Sequence, residues 1–168
     1  MIVAKVIATL GDDVSTDVIY PGRYMATVLP GETPQHAFAD DVELNRRLRS
    51  KEVPPGSVIV AGENFGCGSS REQACSCLKG YELTVVAQGF ARIFLQNAVN
   101  LGLNVVTAPD VSASEGDELE ITAAAVVNRT TGESFSVVPL PKARQAIIEA
   151  GGLIAYTRQR VLETTGKG

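Results

Sequence analysis

The sequence predicts a single mixed α/β domain over residues 1–168, on three observations. Between Val58 and Thr107 short apolar runs alternate with helical stretches, the pattern of parallel strands joined by βαβ crossovers. Beyond Pro109 the runs shorten and flank the turn Arg129-Thr130-Thr131-Gly132, which favours antiparallel pairing. Finally, 168 residues suit one domain of ordinary size, and a chain near that length buries roughly 68–70% of its unfolded surface.

The elements follow in order. Met1–Thr9 alternates and then runs apolar, as a first strand does. Leu10–Tyr24 is rich in turn residues, with Gly11, Asp12, Asp13, Pro21 and Gly22. Met25–Thr33 reads as an irregular, mobile loop, because Pro30, Gly31 and the following Pro34 forbid a regular element. A helix is expected over Pro34–Lys51, with Pro34 in its first turn and Phe38, Val42, Leu44 and Leu48 as its apolar stripe. Pro54-Pro55-Gly56 breaks the chain. Strands are then expected at Val58–Ala61, Leu83–Ala87 and Val105–Thr107, and helices at Ser69–Leu78, closed by Gly80, and Gly89–Leu101, closed by Gly102. Leu119–Ile121, Val126–Val127 and Phe135–Val138 are the later strands. Pro141–Ala150 is a helix followed by Gly151-Gly152, and the polar stretch from Arg158 onward is expected to fray.

Composition excludes several functions. A chain that is 45% hydrophobic and 20% charged is globular rather than disordered. The net charge of −4 and pI of 5.0 argue against nucleic acid as partner. The densest basic cluster, Arg46, Arg47 and Arg49, shares its segment with Asp40, Asp41 and Glu43. No apolar run approaches the ~20 residues that span a bilayer, and the N-terminus lacks a basic leader, so a cytoplasmic location is expected. Cys67, Cys75 and Cys77 are an odd set without a disulfide framework or a C-x-x-C pair. Cys75 and Cys77 stand two apart on an expected helix, on different faces, so they read as small buried residues rather than ligands. His36 stands alone and reads as structural or solvent-facing.

The stretch that carries chemistry is Gly62-Glu63-Asn64-Phe65-Gly66-Cys67-Gly68-Ser69-Ser70-Arg71. It joins the carboxyl end of a buried strand to the amino end of a helix, where open parallel sheets bind ligands. Ser69 or Ser70 can cap that helix, its first N–H groups favour an anion, and Arg71 adds a planar fork of donors suited to a carboxylate or phosphate. A plainer reading stays open, in which Ser69 is a cap and Glu72 completes a capping box. The Lys-Ser/Thr of a Walker-type loop is missing. The residues alone thus define an anion site containing a serine.

This segment, continuing into Glu72-Gln73-Ala74, resembles the signature of the small subunits of isopropylmalate dehydratase and homoaconitase, and of the mobile domain of aconitase. The likeness includes Gly11-Asp12-Asp13-Val14-Ser15-Thr16-Asp17-Val18-Ile19-Tyr20-Pro21. It extends through Gly89-Phe90-Ala91-Arg92-Ile93-Phe94 with Asn97, Ala98, Asn100 and Gly102, and through Glu115-Gly116-Asp117-Glu118-Leu119-Glu120. The motifs stand in the same order over about two-thirds of the chain.

The resemblance implies a three-layer swivelling β/β/α domain with a mixed, partly parallel central sheet. It implies a hydro-lyase subunit that is active only with a large partner subunit, which carries a [4Fe–4S] cluster on its own cysteines. Ser69 is implied as the catalytic base, acting as an alkoxide on the proton beside a substrate carboxylate, with Ser70 and Arg71 holding carboxylate oxygens. Tyr24, Met25, Ala26 and Thr27 are implied to form the loop that sorts substrates. Ala26 stands where an arginine would meet the extra carboxylate of a tricarboxylate, and Asp13 stands where aconitase has a further substrate arginine. An apolar pocket there suits an alkyl group, since an unpaired buried carboxylate is costly. A plainer reading stays open, in which Met25, Val28 and Leu29 pack into the core and Arg23 faces the ligand. The expectation is therefore a small dicarboxylate: isopropylmalate, as in leucine biosynthesis, with methylmalate or dimethylmalate open and homocitrate or citrate disfavoured. A separate alternative is an anion-binding module without catalysis, using the same helix end.

Overall fold

A computed structural model describes residues 1–166. Seven strands form one sheet: β1 (Ile2–Thr9), β2 (Val58–Ala61), β3 (Thr84–Ala87), β4 (Asn104–Thr107), β5 (Glu118–Ile121), β6 (Ala125–Asn128) and β7 (Ser134–Ser136), in the spatial order β4-β3-β2-β1-β5-β6-β7. β1 is the junction between two halves. Its second half runs parallel to β2, with Val6 opposite Val58, and its first half runs antiparallel to β5, with Ile2 opposite Ile121. A register shift between Val6 and Ala8 turns the strand between these roles. β2, β3 and β4 continue in parallel, while β5, β6 and β7 continue antiparallel. The sheet curls until its two edges meet, where the Val138 N–H donates to the Thr107 carbonyl at 2.9 Å.

The curl explains the three layers. Val6, Val58, Val60 and Val86 join Leu119, Ile121, Val126 and Phe135 in one core between the two halves of the sheet. Their neighbours Ile59, Ala61, Val85 and Ala87 point the other way, into a second core with Leu44, Leu48, Leu78, Phe94 and Ala98 beneath the helices. All four residues of β2 and of β3 are buried, as strands covered on both faces must be. The expected three-layer β/β/α class with a mixed sheet is what forms.

The helices are α1 (Thr16–Ile19), α2 (Val42–Arg49), α3 (Glu72–Gly80), α4 (Arg92–Leu101), α5 (Lys142–Glu149) and α6 (Leu153–Thr165). The helix expected from Pro34 to Lys51 is shorter. Thr33–His36 makes a 3₁₀ turn, Phe38 takes φ 51°, which no right-handed helix continues through, and Asp41 starts α2 by accepting from the Leu44 N–H at 3.1 Å. Phe38, Leu44 and Leu48 are buried as expected, but Val42 is 77% exposed. The fraying expected after Arg158 is replaced by α6 as far as Thr165, which packs on α4 and α5; Lys167 and Gly168 lie outside the described residues. No helix among the described residues is long and apolar enough to cross a membrane.

Candidate active site

Because β1 and β2 are parallel neighbours, the segments leaving their carboxyl ends emerge side by side and stay zipped. The Gly62 N–H donates to the Gly11 carbonyl at 3.1 Å, and the Glu63 N–H to Asp12 Oδ1 at 2.8 Å. Asn64 Nδ2 reaches Asp13 Oδ1 at 2.9 Å, the Gly66 N–H reaches the Val14 carbonyl at 2.7 Å, and the Thr16 N–H reaches the Cys67 carbonyl at 2.8 Å. The exit from β3 joins as a third line. The Phe65 N–H donates to the Gly89 carbonyl at 3.0 Å, and the Ala91 N–H to the Phe65 carbonyl at 2.9 Å. Beneath the turn, Phe65 meets Phe94 and Phe90 edge-on, with centroids 5.2 and 6.0 Å apart. Three of the sequence motifs thus build one place. The fourth does not: Glu115–Glu120 forms the turn into β5, where the Asp117 carboxylate accepts from Ser114 N–H and Asn128 Nδ2.

The turn ends on Ser69 and Ser70, both exposed. Neither hydroxyl has a hydrogen-bond partner among the described residues. The capping reading is corrected here. α3 begins at Glu72, and the residue before it is Arg71, in an extended conformation and without a side-chain cap. Since Glu72 is the first helical residue, the Ser69/Glu72 spacing cannot close a capping box. The serines are not spent on the helix, and the Glu72 N–H at its positive end has no acceptor among the described residues.

Arg71 is fixed from the side. Its Nη1 donates to Asp17 Oδ1 at 2.8 Å and to the Tyr20 carbonyl at 3.0 Å, and its side chain is only 16% exposed. Asp17 also accepts from the Gly22 N–H at 2.8 Å. The Arg71 guanidinium, then that N–H, hold the Asp17 carboxyl below its ordinary range. Asp17 was legible only as part of a motif; its role as the partner of Arg71 requires the β1/β2 pairing. Thr16 Oγ1, buried and unpaired, lies against Gly68.

The loop expected to sort substrates begins beside Arg71. The buried Tyr20 hydroxyl lies 3.0 Å from the Tyr24 carbonyl and 3.2 Å from that of Thr27, and donates between them. Tyr24 stacks on His36 at 3.9 Å, and Arg23 lies over the Tyr24 ring while pairing with Asp40 at 2.6 Å. Met25, Val28 and Leu29 are 41%, 62% and 58% exposed, so they do not pack into the core. Ala26 is exposed as well. The loop read as mobile is tied at both ends: Gln73 Nε2 donates to the Met25 carbonyl at 3.2 Å, and Thr33 Oγ1 shares a hydrogen bond with Ser76 Oγ at 2.8 Å.

His36 has the structural place expected of it. Burial, then the charges of Arg49 and Arg23, hold its pKa below the ordinary 6.5, so the stacked imidazole is neutral at pH 7. The folded ring takes up a proton less readily than the unfolded one. The stability linked to it is therefore present above pH 6.5 and is lost as pH falls through the lower folded-state value. Amide exchange over residues 24–36, corrected for its intrinsic pH dependence, is expected to quicken between pH 7 and 5 in wild type and not in His36→Phe.

Cys75 and Cys77 are both fully buried on α3, their thiols bonded to the carbonyls of Phe94 and Ala74. Burial drives both thiols well above the usual range, so they are protonated core groups. Cys67 alone is partly open, in the turn. This donor set does not fit an iron–sulfur cluster, which needs several thiolates together.

A family model for the aconitase C-terminal domain matches residues 18–110, a span that contains the loop, the serine turn and α4. The chain belongs to this aconitase family. It is 45% identical over 157 residues to the 3-isopropylmalate dehydratase small subunit of Methanosarcina mazei, covering 91% of this chain and 94% of that one. It is 42% identical over 167 residues to the protein of that name from Moorella thermoacetica, covering 96% and 98%. The isopropylmalate/citramalate isomerase small subunit of Methanocaldococcus jannaschii is 41% identical over 160 residues, covering 92% of each. The crystal structure of 3-isopropylmalate dehydratase from the same organism superposes with a TM-score of 0.87 at 39% identity, over 99% of this chain and 100% of that one.

Proposed function

We propose that this chain is the small subunit of a cytoplasmic 3-isopropylmalate dehydratase, folded as one swivelling domain and active when it closes over a large partner subunit. The observation that carries the reading is the pair of unspent serine hydroxyls beside an arginine already locked by Asp17. In this reading the second Nη and the Nε of Arg71, with the Ser70 hydroxyl, hold the carboxylate of a malate. Ser69 Oγ then takes the proton from the carbon next to that carboxylate and later returns it. The positive end of α3 and the Arg71 guanidinium stabilise the charge that Oγ carries as an alkoxide before it takes the proton; the transfer leaves Oγ neutral and moves the charge to the substrate. A serine alkoxide open to water is not viable, and the exposure of Ser69 supports the reading in which a second chain closes over it and excludes water. Loss of the hydroxyl from the adjacent carbon needs a Lewis acid, which we assign to a [4Fe–4S] cluster on that partner. The exposed Met25, Val28 and Leu29 around Ala26 give the loop an alkyl-facing surface, and the neighbouring Arg23 is already paired with Asp40.

The name of the Methanocaldococcus jannaschii relative supports a second substrate, a methyl-substituted malate, which the same apolar loop would admit. The two-chain enzyme, with its cluster reconstituted anaerobically, is assayed on isopropylmalate, citramalate, dimethylmalate, homocitrate and citrate. Turnover of isopropylmalate with homocitrate at least tenfold slower is expected; a preference for either tricarboxylate would overturn the assignment. One pocket contact typically discriminates by about 10–200-fold, so the panel resolves it.

A further inference from the structure

We infer that Gln73 and Ser76 are positioning residues that fix the substrate loop against the serine turn, and so set how sharply the enzyme separates alkyl groups of different size. This rests on the reading of residues 24–27 as the substrate-sorting loop. Residues 73, 76 and 80 lie on one face of α3, spaced three and seven apart. Each meets the loop or the turn that ends it. Gln73 holds the Met25 carbonyl at 3.2 Å, and Ser76 holds Thr33 Oγ1 at 2.8 Å. Gly80 lies so near Pro34 that a Cβ there would come within 2.3 Å of the ring. The opposite side of α3 is buried through Ala74, Cys75, Cys77 and Leu78. The helix is therefore rigid against the core on one side and carries both ends of the loop on the other.

The consequence is geometric. Ser69, Ser70 and Arg71 lead directly into α3, so the groups that hold the substrate carboxylate and those that face its alkyl group share one support. Their separation is constant only while both ties hold. The Ser76 tie is the stronger, because Thr33 is completely buried and its hydroxyl has no other partner among the described residues. Loosening the ties frees the alkyl side and leaves the carboxylate side in place.

The test uses Ser76→Ala, Gln73→Leu, the double variant and Ser76→Thr, which keeps the hydroxyl, in the reconstituted two-chain enzyme. KM for isopropylmalate is expected to rise about threefold to tenfold in the double variant, the range one or two weak hydrogen bonds supply. Its kcat should stay within about twofold, and KM for the smaller citramalate should change by less than about twofold. Ser76→Thr should restore the wild-type preference. In the isolated chain, amide exchange over residues 25–33 should quicken in the double variant. Equal rises in KM for both substrates, or a fall in kcat with KM unchanged, would mean a purely structural or catalytic role and overturn the inference. Unchanged exchange in an active enzyme would overturn the tie alone. A wild-type enzyme that turns over none of these malates would sink the proposed function, and the specificity claim with it.

Discussion

Replacing Ser69 with alanine should lower kcat of the two-chain enzyme by about 10²–10⁴-fold, the contribution of a positioned general base. KM should change little. The hydroxyl makes no hydrogen bond among the described residues, so its removal should cost the fold little. Its proposed work lies in the proton transfer and not in holding the substrate. The loss should therefore fall equally on kcat and on kcat/KM, as for an interaction made only in the transition state. Ser70→Ala should do the reverse, raising KM by about threefold to tenfold through one lost hydrogen bond to the carboxylate. Steady-state rates with matched cluster content separate the two. A Ser69→Ala enzyme within threefold of wild type would make the serine a bystander.

The second large effect is on the fold, at Gly66. This residue sits at φ 84°, and a Cβ on it would come within 2.2 Å of Phe94 Cγ. A left-handed conformation costs a residue with a side chain about 1–2 kcal/mol, and forcing a methyl into a packed aromatic cluster costs about 1–3 kcal/mol more. Gly66→Ala should therefore destabilise the chain by about 2–5 kcal/mol, a fall in Tm of roughly 5–20 °C at this chain length. Nothing beneath the turn can yield easily, because Phe94 is held edge-on by Phe65 and stacked by Phe90. The Gly66 N–H to Val14 contact lies on the line that carries Ser69, so activity should fall before the chain unfolds. Thermal unfolding followed by circular dichroism decides it; a Tm within 2 °C of wild type would show that the turn can give way.

Much of this architecture was legible because burial on two faces leaves a plain mark. β2 is a continuous apolar run and β3 is one apart from Thr84, and Gly102 closes α4 in a left-handed conformation as its position suggested. What the sequence hid depends on single dihedrals or distant pairings. Phe38 looks like one step of a helical stripe, but its positive φ, with the non-helical Ala37 and Asp41 on either side, separates the 3₁₀ turn from α2. Ser69-x-x-Glu72 looks like a capping box, and only the late start of α3 frees the serines. The serine turn itself could be read from its glycines and its place after a strand. Its support could not, because the Asp17–Arg71 pair spans 54 residues and exists only through the parallel contact of β1 with β2. The loop of residues 25–33 showed its irregularity in Pro30, Gly31 and the following Pro34, while the Gln73 and Ser76 ties come from a helix face that carries no apolar signal.

The central claim is that this chain supplies the proton-transfer half of the reaction, and isotope exchange tests it most directly. The large subunit with its cluster intact is mixed in deuterium oxide with isopropylmalate and with wild-type chain, Ser69→Ala chain or none. Deuterium at the carbon beside the substrate carboxylate is then read by mass spectrometry and NMR. Incorporation with the wild-type chain, and at least about 10²-fold slower incorporation with Ser69→Ala, is the expected result. Equal incorporation in all three mixtures would place the base on the partner and contradict the account.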